Sequence, residues 1–439
     1  MLSESANEGI PICLPALPNE LWLRIFELAT EIFGILDPGV HDPFEASTPL
    51  FEINYDGDDP EVRHSLDMKS RLVRVCRRWR MLATPLLYQV IIIRHFRHIN
   101  TLRLIDTIKR AGSNAAFGAL PGRVVHRLDI AIREPITTYM ALNVRRVLSK
   151  IVKALPSLRI LVVIQRELRD QNGSSGDLLP PSLDFAQAID TLGSLTVQKL
   201  RWDTDPPLGT KTCRSLLTRL PSLRTLMVGE PGFCPFDLPS LPDLHFATLL
   251  HDSSTDSSGT AASFPNLRQA LFRPSVRYDI GCITEFLASK APELTTVYLE
   301  MNSSWTRELC RALARHCPHV AHIILFTGYS QWSTWNSGFM DTSGLYFQSS
   351  PYFPSITHLG LFGPPFNDDS HCLRIFRWLR SVLIPSSLKV VRFLNPQCVM
   401  DMLYRRSAAV AEGLIALPDL RVEDHEGSDL RVRIIVRVQ

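Results

Sequence analysis

One short pattern recurs along the chain and constrains its fold more than any bulk property. An apolar residue and a proline lead into a Leu-x-x-Leu-x-apolar run. The copies are Ala154–Val163, Arg219–Val228, Phe264–Phe272, Ala291–Leu299, Cys317–Leu325, Phe353–Leu361, Ile384–Phe393 and Ala416–Val422. Two weaker runs, Arg127–Ala131 and Lys199–Trp202, keep the rhythm. The segments before several copies are helical in period: Val144, Val147, Leu148, Ile151, Val152 and Leu155 share one stripe, as do Leu309, Ala312, Leu313 and His316. Proline then stops the helix, because it lacks an N–H and restricts the residue before it. Starts of the apolar runs recur roughly every 26–44 residues, a period typical of stacked helix–strand units.

A unit of this size has one apolar strand–helix face that only its neighbour can bury, so the units must stack. The pattern resembles a leucine-rich repeat. That resemblance implies an α/β solenoid with parallel strands inside and helices outside. The repeats are degenerate, because the consensus Asn after the core is mostly missing. They also account for the excess of leucine and for part of the 31 prolines among 439 residues. The tail Arg431–Val438 is expected to be a terminal strand. Insertions are expected at 170–182, 229–263 and 327–352. The last crowds Tyr329, Trp332, Trp335, Phe339 and Tyr346 among Gly, Ser and Thr, a composition like that of binding loops, which makes these rings the candidate target-binding residues. The competing reading is that they cover the last repeats.

The N-terminal segment differs. Leu14–Phe33 reads as a helix with Pro18 in its first turn. Leu21, Ile25, Leu28 and Ile32 form one stripe, and Trp22, Phe26, Ala29 and Phe33 an adjacent one. A loop with Gly, Pro and Asp follows. A second helix spans Leu66–Ala83, ended by Pro85, and Val90–Ile93 follows as a buried strand or the entry to the next domain. Two short helices cannot bury this much apolar surface between themselves. Leu17-Pro18-x-Glu20-Leu21, Ile25-Phe26, Val75-Cys76-Arg77-Arg78-Trp79 and Ala83-x-Pro85-Leu86-Leu87-Tyr88 resemble an F-box, most nearly the F-box families of mushroom-type fungi with their lengthened first loop. The domain organisation implied is an F-box over 14–90, with an extended first loop at about 34–65, and a degenerate leucine-rich-repeat domain over 91–439.

The resemblance implies a partner and a site. A Skp-type adaptor, and through it a cullin, would be bound by Leu17, Pro18, Leu21, Ile25, Phe26, Leu72, Val75, Cys76, Trp79 and Leu82. The alternative for Trp79 and Cys76 is that they pack the helices' own core. The function implied is that of a substrate-recognition subunit of a Skp–cullin–F-box ubiquitin ligase whose repeats hold a protein target. The alternative is a repeat-based interaction scaffold with no ubiquitination role.

Other classes find little support. No phosphate loop, dinucleotide fingerprint, nucleophile elbow or His-Glu-x-x-His is present, so no catalytic residues and no cofactor are expected. Cys310, His316, Cys317, His319 and His322 cluster in sequence, but their spacing is wrong for zinc, and no metal is expected. Net charge is only +3, and the arginines near residue 75 lie close to acidic residues, so no nucleic-acid partner is expected. The nine cysteines lack paired spacing, which suits a reducing compartment. The first residues lack a basic stretch followed by an apolar run, and no apolar run reaches ~18 residues. No signal peptide or membrane partner is therefore expected. The expected location is the cytoplasm, the nucleus or both.

Overall fold

The computed structural model describes residues 17–32, 34–45, 60–95, 121–132, 150–152, 154–165, 196–204, 210–228, 239–249, 264–272, 280–290, 293–300, 306–326, 355–363, 368–382 and 387–438. The chain divides into two compact units. One holds residues 1–32 and 59–89, the other residues 33–58 and 90–439. The long loop after the first helix thus groups with the repeats and not with the helices that flank it in sequence.

The second unit is built on one open sheet of twelve strands in sequence order. They are β1 (Val90–Ile93), β2 (Arg127–Ile132), β3 (Ile160–Gln165), β4 (Lys199–Thr204), β5 (Thr225–Val228), β6 (Phe246–Leu249), β7 (Gln269–Phe272), β8 (Thr296–Glu300), β9 (His322–Phe326), β10 (His358–Phe362), β11 (Val390–Phe393) and β12 (Arg421–Glu423). Every neighbouring pair is parallel. This is the arrangement in which each repeat buries only its neighbours.

The recurring proline has a specific job. In Leu155-Pro-Ser-Leu158, Leu220-Pro-Ser-Leu223, Leu241-Pro-Asp-Leu244, Phe264-Pro-Asn-Leu267, Cys317-Pro-His-Val320 and Leu417-Pro-Asp-Leu420, the fourth residue's N–H donates to the first residue's carbonyl at 3.1–3.3 Å. Each is a β-turn with proline at its second position, where its fixed φ is pre-set. The first and fourth residues of each turn are buried, so one tetrapeptide both reverses the chain and plugs the core. The next N–H groups donate to the preceding repeat, as Arg159 and Ile160 do to the His126 carbonyl, and this fixes the register.

Strand alternation gives the sheet two faces. One carries Leu128, Leu161, Leu200, Leu226, Ala247, Ala270, Val297, Ile323, Leu359, Val391 and Val422, all buried. Helices cover this face: the Phe376 ring, on the helix Asp369–Val382, lies 6.1 Å from Phe393. In the second unit the helices are α4 (Pro121–Val124), α5 (Thr210–Thr218), α6 (Ile280–Lys290), α7 (Thr306–His316), α8 (Asp369–Val382), α9 (Pro396–Tyr404), α10 (Ser407–Ile415) and α11 (Leu430–Val438). The opposite face holds the row that begins each strand, and it is polar in most repeats.

Three expectations from the sequence are corrected. Residues 239–249, placed within an insertion, form a proline turn and strand β6, so the longest interval between copies holds a further strand. The tail is helix α11 and not a strand: the Asp429 carboxylate accepts from the Arg431 N–H and caps the first turn. The second N-terminal helix is two helices, α2 (Pro60–Val75) and α3 (Arg77–Tyr88). Cys76 is extended between them, and its thiol accepts the Trp79 N–H at 3.4 Å. Pro85 does not end α3, whose last turns stay packed through buried Ala83 and Leu86.

Candidate functional site

In the first unit, α1 (Asn19–Thr30) packs on α2 and α3 around Phe26, which is 1% exposed. Its ring lies 5.8 Å from Trp22 and 4.8 Å edge-on from Trp79, with Ala83, Leu86, Leu72 and Leu82 completing the cluster. Of the ten residues assigned to the adaptor, Phe26, Trp79, Leu72 and Leu82 therefore sit in or against the unit's own core. Leu17 is half-buried and Cys76 caps α3. Pro18 is exposed. Leu21, Ile25 and Leu28 remain 51%, 44% and 58% exposed at i, i+4 and i+7 on one face of α1, and Val75 is exposed at the end of α2. Arg78 holds the start of α1 by donating to the Leu17 carbonyl at 2.6 Å and to Asn19 Oδ1 at 2.9 Å. Ser65 ties α2 to the end of α1 through the Thr30 carbonyl at 2.5 Å.

In the second unit, residues 35–45 lie as a strap along the polar face of the sheet. The register places Arg127, Lys199, Thr225, Gln269, Thr296, His322 and His358 in one row from β2 to β10, interrupted by Ile160 on β3 and Phe246 on β6. Their side chains meet the strap in order. Arg127 Nη1 donates to the Ile35 carbonyl at 2.9 Å. Lys199 Nζ donates to the carbonyls of Asp37 and Gly39 at 3.2 and 3.3 Å. Thr225 donates to Pro38 at 2.7 Å, and Gln269 to Val40 at 3.0 Å. One row further along the strands, Arg392 donates to the Pro43 carbonyl.

Two Asp-Pro pairs shape the strap. Asp37 Oδ1 accepts from the Gly39 N–H at 2.7 Å, and Asp42 Oδ1 from the Phe44 N–H at 2.8 Å, two turns of one design. Asp42 Oδ2 also meets His322 Nδ1 at 2.6 Å and the Thr296 hydroxyl. Phe44 lies 5.1 Å from His322, 4.9 Å from His358 and 5.1 Å from the Arg392 guanidinium carbon. Val40 and Phe44 pack on Met227, Phe246, Leu271, Tyr298 and Ile324.

The electrostatics follow from burial. Burial alone would raise the Asp42 carboxyl, but its hydrogen bond to His322, that ring's charge and the Thr296 hydroxyl outweigh it and hold Asp42 below the usual carboxylate range. Burial, with His322 and Arg392 nearby, pushes the His358 ring down to about 4. Burial and the charges of Asp42 and Glu45 raise the Tyr298 phenol. Arg127 and Arg392 keep carboxylate partners within the sheet, Asp129 Oδ1 at 2.8 Å and Glu423 Oε2 at 2.6 Å. Gly427, at φ +85°, lets the last turn approach that guanidinium, since a Cβ there would sit 2.9 Å from Arg392 Nη2.

The proposed target-binding rings Tyr329, Trp332, Trp335, Phe339 and Tyr346 lie outside the described residues, as does the 170–182 insertion. Among the described residues no group of three or more His, Cys, Asp or Glu could hold a metal ion, and no helix is long and apolar enough to cross a membrane. The strap and its row were not singled out from the sequence. Their signals are the paired Asp37-Pro38 and Asp42-Pro43, and polar residues recurring at the first position of otherwise apolar strands.

Fold and site together define an α/β repeat protein with a parallel twelve-stranded sheet, joined to a three-helix unit with an uncovered apolar stripe. No family model matches the chain, and no curated protein matches it. Among solved structures it is similar to the one described as the crystal structure of the Rad7 and Elc1 complex in yeast. Identity is 14% over 70% of this chain and 93% of that chain, with a TM-score of 0.27. A superposition that loose carries no argument about function.

Proposed function

We propose that the chain is the substrate-recognition subunit of a Skp–cullin–F-box ubiquitin ligase, with the first unit docking on a Skp-type adaptor and the repeats holding a protein target. The supporting observation is the α1 stripe of Leu21, Ile25 and Leu28. It lies on the short helix that begins within the Leu-Pro-x-Glu-Leu segment, and it stays about half exposed while Phe26 and Trp22 fill the unit's core. Such a receptor performs no covalent chemistry. It raises the effective concentration of a target lysine near a thioester formed elsewhere. It works without a cofactor, in the cytoplasm, the nucleus or both.

Covering three half-exposed aliphatic side chains is worth about 1 kcal/mol each, or roughly a hundredfold in affinity together. Co-expression with a Skp-type adaptor tests the reading. Leu21→Asp/Ile25→Asp should abolish co-purification of adaptor and cullin while the chain keeps a cooperative melting transition, because both side chains are half exposed and neither belongs to the unit's core. Equal capture by this variant refutes adaptor docking and leaves the interaction scaffold.

A further inference from the structure

We propose that residues 35–45 are a tethered ligand, and that the sheet face beneath them is a binding channel for an extended peptide carrying an Asp-Pro-aromatic turn, which must displace the strap to enter. Three observations carry this. First, the strap adds no strand to the sheet. Among the described residues its backbone bonds are local, Asp37 N–H to Gly34 and Glu45 N–H to Asp42, and the sheet reaches it only through side chains. Its removal therefore leaves every strand-to-strand bond in place.

Second, the recognition has the form of peptide binding. Arg127, Lys199, Thr225, Gln269 and Arg392 donate to main-chain carbonyls, which any sequence offers. Specificity falls on a few inserted side chains: Val40 on the apolar patch, Asp42 between Thr296 and His322, and Phe44 among His322, His358 and Arg392. Main-chain bonds for affinity with pockets for chosen side chains is the usual division of labour in such grooves. Third, the two arginines that grip the ends of the strap have partners of their own. Arg127 and Arg392 keep Asp129 and Glu423 as partners, so departure of the strap strands neither charge.

The inference is independent of adaptor docking, because a scaffold would use the channel equally, and its test needs no adaptor. The probe is a fluorescein-labelled synthetic peptide with the sequence of residues 34–45. It is titrated by anisotropy into three full-length chains: wild type, a chain with residues 35–44 replaced by Gly/Ser of equal length, and Asp42→Ala/Phe44→Ala. The internal strap competes at an effective concentration near ~1 mM, so wild type should show binding at least tenfold weaker than the Gly/Ser chain. The Asp42→Ala/Phe44→Ala chain should fall between them. A peptide with alanine in place of its Asp and Phe at the same two positions should bind the Gly/Ser chain at least tenfold more weakly. A folded Gly/Ser chain that ignores the peptide overturns the proposal. So does unfolding of both variants, which would make the strap a structural brace. A wild-type dimer that exchanges straps, seen by light scattering, assigns the face to a second copy and overturns it too.

Discussion

His358 should make the protein acid-sensitive well above the carboxylate range. The unfolded imidazole titrates near ~6.5, whereas burial, reinforced by His322 and Arg392, holds the folded ring down to about 4. Between those values the unfolded chain carries a proton that the folded chain does not, so stability falls as pH drops through 6.5 and levels off below 4. At pH 5, about 1.5 units below the unfolded value, protonation of the unfolded ring alone is nominally worth about 2 kcal/mol. The ring is only half-buried, so solvent screening reduces this to about 1 kcal/mol. Asp42 does not interfere, because its folded carboxyl is held below the usual range and stays ionised throughout this window. The assay is urea denaturation of wild type and His358→Gln at pH 7.5 and pH 5.0. Comparing each chain with itself at the two pH values, and then the two differences with each other, isolates the part of the pH dependence that requires His358. Wild type should lose about 1 kcal/mol more than the variant between the two pH values. Equal losses would refute the assignment of the low pKa to this ring.

Two further outcomes follow from packing. A Cβ at Gly413 in α10 would lie 2.3 Å from the Phe376 ring, which is itself buried against Phe393. Gly413→Ala should therefore cost about 1–3 kcal/mol from overpacking, despite the better helix propensity of alanine, and a melting temperature that rises instead of falling by several degrees would contradict that packing. Among the five cysteines Cys76, Cys213, Cys317, Cys372 and Cys398, only Cys76 is exposed, while burial pushes the thiols of Cys213, Cys317 and Cys372 up to about 12. Iodoacetamide at pH 7.5 should alkylate Cys76 at least tenfold faster than these three, read by peptide mass spectrometry.

Much of the sheet was legible because its signal is redundant. Six units show the same buried first and fourth turn residues around a proline, so one reading of Leu155-Pro-Ser-Leu158 transfers to Leu417-Pro-Asp-Leu420. Strand β6 escaped because Pro-rich and Ser-rich neighbours frame it, although Leu241-Pro-Asp-Leu244 matches the rest. Helix α11 was misread because Val432, Ile434 and Val436 also fit alternation, and the deciding feature is a cap at Asp429 outside the apolar run. The strap was illegible for a different reason. Its partners lie 92 to 349 positions away, and no local period reports a carbonyl accepting from a distant arginine. In the helical unit the apolar pattern gave the two stripes, but only packing decided that Phe26 turns inward while Leu21 and Ile25 stay outside.

The strap also sets an order of events. A stack of repeats can form progressively, each unit closing on the last over short loops. The strap is seated in full only at the end. It precedes every strand in sequence, yet its Pro43 carbonyl finds Arg392 only after eleven strands have been made. During synthesis the strap can therefore be gripped only strand by strand, by Arg127 first and by Arg392 last, over about half a minute at typical elongation rates. Any chaperone or early ligand that samples this face then competes with a strap that is only partly seated.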